Sequence, residues 1–179
     1  MKKFAYLFVI LLVLAMALPF AALAGDEQIG FTDKVLEDKV RGCLGLKEGP
    51  ITQAMAEEVT YLELSNYVSE GGEVPESDKI RSIDDLKAFK NLEVLNLYAN
   101  DIHDISVLAG LTKLSDLFLE RNDIYDFSPL AGLVNLHTLF IDGNGKDLSF
   151  LGGLKNLETA SLGGGNSKLP EELKGLPKL

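Results

Sequence analysis

Two short runs in this 179-residue chain contain residue types that bind ions in other proteins. Asp142-Gly-Asn-Gly-Lys-Asp147 has the acidic start of a calcium loop, but Lys146 takes a ligand position and Gly153 stands where the closing glutamate belongs. The glycines at 163–165 suggest a phosphate loop, yet the glycine-lysine-serine order and a following helix are missing. Turn structure explains both runs better, so we predict no metal site and no cofactor.

The remaining reactive side chains lack partners for catalysis. His103 and His137 are the only histidines, and neither has a cysteine or a second histidine at ligand or catalytic spacing. Cys43 is the single cysteine, which excludes an intramolecular disulfide. We expect surface histidines and a small, buried, unreactive thiol. No carboxylate is marked as buried by the sequence, so we predict a non-enzymatic protein.

Residues 1–24 are predicted to be a signal peptide. Lys2 and Lys3 precede an uncharged apolar run at 4–18, and Pro19 and Ala22-Leu-Ala24 lead to a small-x-small cleavage site before Gly25. An uncleaved anchor is the alternative, because 21 apolar residues just span a bilayer. Cleavage is favoured by the proline and the small residues, and predicts a secreted or periplasmic protein.

The charge of the processed chain limits its partners. Removal of 24 residues leaves 179 − 24 = 155, with 27 acidic residues against 17 − 2 = 15 basic ones, a net charge of −12. Nucleic-acid binding depends on cations that neutralise phosphates, and attachment to anionic lipid depends on basic clusters. We therefore predict no nucleic-acid partner and no membrane attachment after cleavage.

An internal repeat organises residues 59–179. Related segments begin at Leu92, Leu114, Leu136 and Leu157, and a partial unit begins at Val59, about four and a half repeats in all. An asparagine recurs every 22 residues, at Asn100, Asn122, Asn144 and Asn166. In the unit from Leu92, Leu95 and Leu97 alternate with outward side chains, as in a short strand. Apolar residues then recur at every third position, which suits 3₁₀ turns.

These repeats resemble the leucine-rich repeats of bacterial secreted proteins of the internalin type. The pattern L-x-x-L-x-L-x-x-N-x-L carries the resemblance, in LEVLNLYANDI from Leu92 and LSDLFLERNDI from Leu114. The fold class that the resemblance implies is α/β: a right-handed solenoid with a parallel concave sheet, a 3₁₀ or irregular convex side and an N-terminal α-helical cap. The asparagines are expected to form a structural, buried column.

Residues 25–58 are predicted to form this helical cap. Val35, Leu36, Val40, Cys43 and Leu44 fall on one helical face after a Thr32 cap, and a second short helix is expected from Thr52. Such a cap covers the first strand of the stack.

The outward strand positions supply the candidate binding site, because the fold does not require them to be apolar. Phe118 and Phe140 should touch across neighbouring strands, with acidic side chains around them. The predicted partner-binding residues are Tyr61, Glu63, Asn96, Tyr98, Asp116, Phe118, Glu120, Phe140 and Asp142. Acids around an aromatic centre predict a protein partner with basic character. Mutual shielding of the two phenylalanines and solvated surface acids are the alternative readings.

An acidic insertion at 65–79 is expected to be either a mobile loop or a second contact region.

The leading hypothesis for the whole protein is an exported, monomeric protein-binding module that uses its concave face. The competing hypothesis is a structural or assembly protein that self-associates through an uncapped C-terminal end, since the chain stops at Leu179 without an evident cap.

Overall fold

The computed structural model describes residues 26–67, 72–143 and 146–163. Within them, five three-residue strands form one parallel sheet in chain order. The strands are β1 Tyr61–Glu63, β2 Val94–Asn96, β3 Asp116–Phe118, β4 Thr138–Phe140 and β5 Thr159–Ser161. Each strand pairs with the next without an offset between repeats, so equivalent residues of successive units lie side by side.

The central residue of each strand faces the core. Leu62, Leu95, Leu117 and Leu139 pair in one row and are fully buried, and Ala160 takes the equivalent place in β5. The residues on either side of each central position point the other way and retain solvent exposure. Burial of a leucine stabilises the fold by roughly 1.5–3 kcal/mol, which is why the alternation determines the side of the sheet.

The return path of each repeat consists of 3₁₀ turns, as the period of three predicts. The 3₁₀ helices span Glu76–Asp78, Asp84–Ala88, Ser106–Gly110, Ser128–Gly132 and Ser149–Gly153. In one unit the amides of Leu108, Leu111 and Leu114 each donate to the carbonyl three residues earlier, over 2.9–3.1 Å. The apolar period therefore equals the hydrogen-bond period, which buries every third side chain. This confirms the predicted leucine-rich-repeat solenoid.

The asparagine column is present where the structure describes it. Asn100 is buried and donates to the carbonyls of Leu64 and Leu97, while its Oδ1 accepts from the Ile80 amide. Asn122 repeats the pattern one coil later but is only half-buried, so burial of the whole column is not observed. Asn144 and Asn166 lie outside the described residues.

The N-terminal cap consists of α1 (Lys34–Leu44) and α2 (Gln53–Glu57). Thr52 caps α2 as predicted, by accepting from the Met55 amide. The predicted Thr32 cap of α1 is wrong: Asp33 caps this helix, and the Thr32 hydroxyl instead donates to Asp85 over 2.9 Å. A carboxylate at position 33 reaches the Leu36 amide directly, whereas Thr32 lies one residue too early.

Cys43 corrects the prediction of a buried thiol. Leu36 and Val40 of the predicted helical face are buried in the core, but Cys43 is exposed and its Sγ donates to the Glu63 carbonyl over 3.3 Å. Cys43 lies in the last turn of α1, where this hydrogen bond places it beside β1. Although the residue is exposed, neighbouring protein atoms partly bury its sulfur. This burial raises the pKa of the thiol and disfavours the reactive thiolate.

Several predicted segments lie outside the described residues: the signal peptide, residues 68–71 of the insertion, the glycines at 164–165 and the C-terminal end. In the part of the chain that is described, no helix is long and apolar enough to cross a membrane.

Candidate functional site

The candidate site is the outer side of the sheet, called the strand face below. Its residues are those that flank the buried central residue of each strand, together with the residue two positions after each strand. They include all nine residues predicted to bind a partner: Tyr61, Glu63, Asn96, Tyr98, Asp116, Phe118, Glu120, Phe140 and Asp142. The structure brings these residues onto one surface because the strands pair in register.

The aromatic centre of the strand face is a pair of phenylalanines. Phe118 and Phe140 pair across β3 and β4, and their rings pack edge to face with centroids 5.2 Å apart at 73°. Both side chains are half-buried, so the predicted contact is confirmed and part of each ring still meets solvent. An edge-to-face pair presents a rigid apolar surface, and such a surface loses little conformational entropy when it is covered.

The first strands of the face are occupied by an internal hydrogen-bond network. The Glu63 carboxylate accepts from the Tyr61 hydroxyl at 3.3 Å and the Asn96 amide group at 3.0 Å. It also accepts from the Ser65 backbone amide, and Asn96 Oδ1 accepts from the Tyr98 amide. These polar groups already have partners, so a ligand would have to compete with them. Tyr61 nevertheless keeps half of its surface exposed.

Glu120 is the unsatisfied polar group of the strand face. It lies one coil after Tyr98 and one coil before Asp142, two residues beyond Phe118. Its Oε2 is shielded from solvent, and no donor reaches it from the described residues. The pKa of Glu120 is raised, firstly because burial disfavours the charged form and additionally because Asp142 is nearby; a bond to its own backbone opposes the shift.

Arg121 also lies in this region, although the alternation of inward and outward strand residues does not predict it there. The residue adopts a left-handed conformation (φ 56°), its amide donates to Asp142 Oδ2 over 2.6 Å, and its guanidinium lies 5.6 Å from the Tyr98 ring centroid. Ala99, one coil earlier, has a similar positive φ of 58°, so the turns before Asn100 and Asn122 direct the side chain away from the strand pattern. The repeated turn, rather than the strand period, is the signal that would have found Arg121.

The strand face therefore has two unlike halves. Tyr61, Glu63 and Asn96 form a self-bonded half, and Asp116 is also engaged, because its carboxylate accepts from the Ser115 hydroxyl at 2.5 Å. The second half combines apolar, aromatic and charged groups. Its residues are Tyr98, Phe118, Glu120, Arg121, Phe140 and Asp142, defined here as the aromatic-acidic patch.

The acidic run first considered as a calcium loop has other roles. Asp142 accepts from Arg121, and Asp147 Oδ1 accepts from the Ser149 amide at the start of a 3₁₀ turn. Asp104 and Asp126 accept from the amides of Ser106 and Ser128 in the same way, at the equivalent turns of the preceding coils. These carboxylates serve the repeat geometry.

The insertion borders a shallow groove of about 390 Å³ beside the aromatic-acidic patch. It is lined by Gly72, Glu73, Val74, Glu76, Lys79, Ala99, Asn100 and Arg121. Glu76 forms ion pairs with Lys79 and Arg81, and Arg81 also pairs with Asp101, so the described base of the insertion is tied to the next coil. The groove is open and mainly polar, and two of its charged lining residues, Glu76 and Lys79, pair with each other.

The histidines lie outside the aromatic-acidic patch, and His103 is exposed whereas His137 is partly buried. His103 lies 3.5 Å from Asp123 and packs at 6.0 Å from the Tyr125 ring, while His137 Nδ1 contacts the Asn135 carbonyl. The two histidines belong to different parts of the repeat, and the structure does not bring them together.

Comparisons with known proteins agree with the observed repeats. A family model described as leucine-rich repeats (2 copies) matches residues 90–132. The structure resembles an internalin of Listeria monocytogenes, InlF, with 30% identity and a TM-score of 0.73 over 89% of this chain and 45% of that one. This chain thus spans less than half of the InlF structure. A search of the curated proteins finds no match.

Two further solved structures share the fold. Internalin C2 of Listeria monocytogenes aligns at 24% identity over 88% of this chain and 86% of its own, with a TM-score of 0.51. A leucine-rich-repeat protein of Leptospira interrogans aligns at 25% identity over 75% and 33%, with a TM-score of 0.52.

Proposed function

We propose that this internalin-like leucine-rich-repeat protein is an exported, non-enzymatic module that binds another protein through its strand face. Stacked repeats of this kind present a continuous sheet surface, and the fold itself is typical of protein-interaction modules. The partner is expected to have basic character where it meets Glu120 and Asp142. No cofactor is required for this role.

The observation that supports the proposal most directly is the half-exposed pair of Phe118 and Phe140. The fold places Leu117 and Leu139 in the core, so the two phenylalanines are not needed there. A rigid aromatic centre with a polar rim is the usual composition of a binding hot spot. The rim here consists of Tyr98, Glu120 and Asp142.

Replacement of both phenylalanines by serine tests the role of the pair. Phe118→Ser with Phe140→Ser should reduce capture of a partner from culture supernatants and envelope extracts by at least about tenfold, because aromatic anchors contribute most of an interface's affinity. Immobilised protein and quantitative mass spectrometry of the captured proteins would measure the change. Circular dichroism would establish that the variant retains the fold.

Tyr125→Ser is the matched control, because Tyr125 is 63% exposed and lies away from the strand face. It should retain full capture. Equal capture by the double variant and the wild-type protein would overturn the proposed site.

Export is part of the proposal and rests on the N-terminal sequence and on the resemblance to secreted internalin-type proteins. Self-association through the C-terminal end is the second candidate. Leu162 and Ala160, in the last described coil, pack against the core but are only partly buried, so apolar surface is available there for a second copy.

A further inference from the structure

Arg121 differs from the other arginines of the chain in having no acidic partner among the described residues. The sequence contains three arginines, and both Arg41 and Arg81 form ion pairs with acidic side chains. The guanidinium of Arg121 forms no ion pair with a described carboxylate, although the chain carries 27 acidic residues. It is also the arginine that lies in the aromatic-acidic patch, where a partner would meet it.

The local fold explains why the Arg121 side chain is left without an acid. Its backbone is left-handed (φ 56°), and its amide donates to Asp142 Oδ2 over 2.6 Å, which fixes the position of the residue. The side chain crosses to the preceding coil, where the guanidinium lies 5.6 Å from the centroid of the Tyr98 ring. Contact with an aromatic ring orients the planar guanidinium but uses none of its five N–H donors. The guanidinium is therefore pre-organised to bind an acceptor.

The guanidinium can be reached from solvent next to the apolar centre of the patch. Arg121 is exposed and also lines the open groove beside the patch, whereas Tyr98 is half-buried. Phe118 pairs with Asn96, two residues before Tyr98, and is therefore a diagonal neighbour of the tyrosine. Diagonal neighbours on a sheet lie about 7–8 Å apart, so one short segment of a partner can contact both the cation and the phenylalanines.

We propose that Arg121, oriented by Tyr98, is the receptor for a carboxylate side chain of the partner, presented by a segment whose apolar residues cover Phe118 and Phe140. This inference rests on the proposed function of the strand face and adds an acidic group to the chemistry of the partner. The fork of a guanidinium binds both oxygens of a carboxylate, which makes this contact directional. The partner segment therefore carries an acid for Arg121 beside the basic group expected opposite Asp142.

The acidic surface of the protein limits how many acids such a segment can carry. A net charge of −10 repels a uniformly acidic partner. Exposed charges farther apart than about 8 Å are largely screened at physiological ionic strength, so a single carboxylate responds mainly to the guanidinium that it contacts. One acid among apolar residues is therefore the simplest probe of the site.

Two blocked tripeptides test the inference on the purified protein. Acetyl-Leu-Glu-Leu-amide should bind at least about threefold more tightly than acetyl-Leu-Gln-Leu-amide, because only the glutamate forms charge-assisted hydrogen bonds with Arg121. Nuclear magnetic resonance titrations would follow the backbone amides of Phe118, Arg121 and Phe140. Arg121→Gln should abolish the preference for the glutamate peptide. The inference is overturned if the wild-type protein shows no preference, or if Arg121→Gln retains it.

Lys90→Gln is the matched control, since it removes the same charge from an exposed residue outside the strand face. It should keep the preference, and its loss in this variant would indicate attraction to net charge alone and would overturn the inference. Arg121→Lys keeps the charge but not the planar fork, so the preference should fall below about twofold. A full preference in Arg121→Lys would equally contradict a receptor built on the guanidinium.

The same titrations separate this inference from the proposed function. The double serine variant of Phe118 and Phe140 should weaken both peptides, while Arg121→Gln should weaken only the glutamate peptide. If partner capture depends on the phenylalanines but is indifferent to Arg121→Gln, the strand face stands as the binding site and the carboxylate receptor does not. If capture survives the serine changes, the proposed function fails independently of Arg121.

Discussion

Asn100 shows how one side chain can hold two coils together. Its amide donates to the Leu97 carbonyl of its own coil at 2.9 Å and to the Leu64 carbonyl of the preceding coil at 3.1 Å. Its oxygen accepts from the Ile80 amide and from Asn66. These groups lie beyond the ends of the strands, and most of their hydrogen bonds are buried. A short amide side chain with both donors and acceptors is suited to this place.

We expect Asn100→Ala to lower the free energy of unfolding by about 2–4 kcal/mol, because several buried backbone groups lose their partner at once. Asn135→Ala is the control: Asn135 is exposed and makes one bond, to the Thr112 carbonyl, so its loss should be below about 1 kcal/mol. Urea unfolding followed by circular dichroism would measure both. Similar losses for the two variants would contradict the structural role assigned to Asn100.

Among the helices, α1 is fastened to the repeats by Asp33. This carboxylate accepts from the Leu36 amide at the helix start and, with its other oxygen, from the amides of Arg81 and Ser82. Thr32 next to it bonds to the buried Asp85 at the start of a 3₁₀ turn. The cap is therefore attached to the first repeat by polar bonds as well as by apolar packing. This attachment keeps the apolar edge of β1 covered.

Asp33→Ala should lower the free energy of unfolding at neutral pH by about 2 kcal/mol, because a helix cap and two further amide bonds are lost. Asp38→Ala, on the exposed side of α1, should change it by less than about 0.5 kcal/mol. Denaturant unfolding of both variants beside the wild-type protein would provide the comparison, and a loss confined to Asp38→Ala would refute the assignment.

The effect of Asp33 should also depend on pH. Burial opposes its ionisation, but the bonds from Ser82, Arg81, Leu36 and Val35 outweigh burial and lower its pKa below the ordinary value of 3.8. A lowered carboxyl pKa stabilises the fold above the unfolded-state value, and the contribution is lost as pH falls through the folded-state pKa. The difference between the wild-type protein and Asp33→Ala should therefore persist at neutral pH and shrink below pH 3.8.

For the molecule as a whole, the net charge and the stacking of coils have opposite effects on association between copies of the protein. The excess of acids keeps copies apart and favours solubility, whereas the partly buried apolar side chains of Ala160 and Leu162 favour association. The proposed export and the competing self-association can both be tested on one preparation of the expressed protein. The acids are spread over the strand face, the 3₁₀ turns and the insertion, so repulsion is not confined to one surface.

When the full chain is expressed in a bacterium, we expect protein outside the cytoplasm that begins at Gly25 and is monomeric. Intact mass spectrometry would identify the N-terminus and light scattering the molar mass. Retention in the membrane fraction with residues 1–24 attached would contradict the signal peptide. A dimer at high concentration would favour the assembly hypothesis, and a strict monomer would remove it.

Periodicity was sufficient for the repeat architecture. Alternation around Leu95 and Leu117 determined the side of the sheet, and the period of three from Ile105 to Leu114 determined the 3₁₀ turns, because both signals repeat in register from coil to coil. The contact between Phe118 and Phe140 followed from the same register. Single positions outside the strand and turn periods are less predictable. The sequence favours Thr32 as the cap of α1, where the structure has Asp33, and it places Cys43 on a buried helical face although Cys43 is exposed.

The sequence by itself determined which residues form the sheet and which strand side chains face outward, including the nine predicted to bind a partner, since strand and turn periods are local properties of the chain. Only the tertiary structure decided which of those nine residues bond to one another and which belong to the aromatic-acidic patch. The hydrogen bond from Asn96 to Glu63 and the position of Arg121 over Tyr98 each join residues of different coils. Glu120 Oε2 finds no donor on any coil that the structure describes. Whether a polar side chain is satisfied depends on its neighbours across coils, and one coil's sequence does not contain that information.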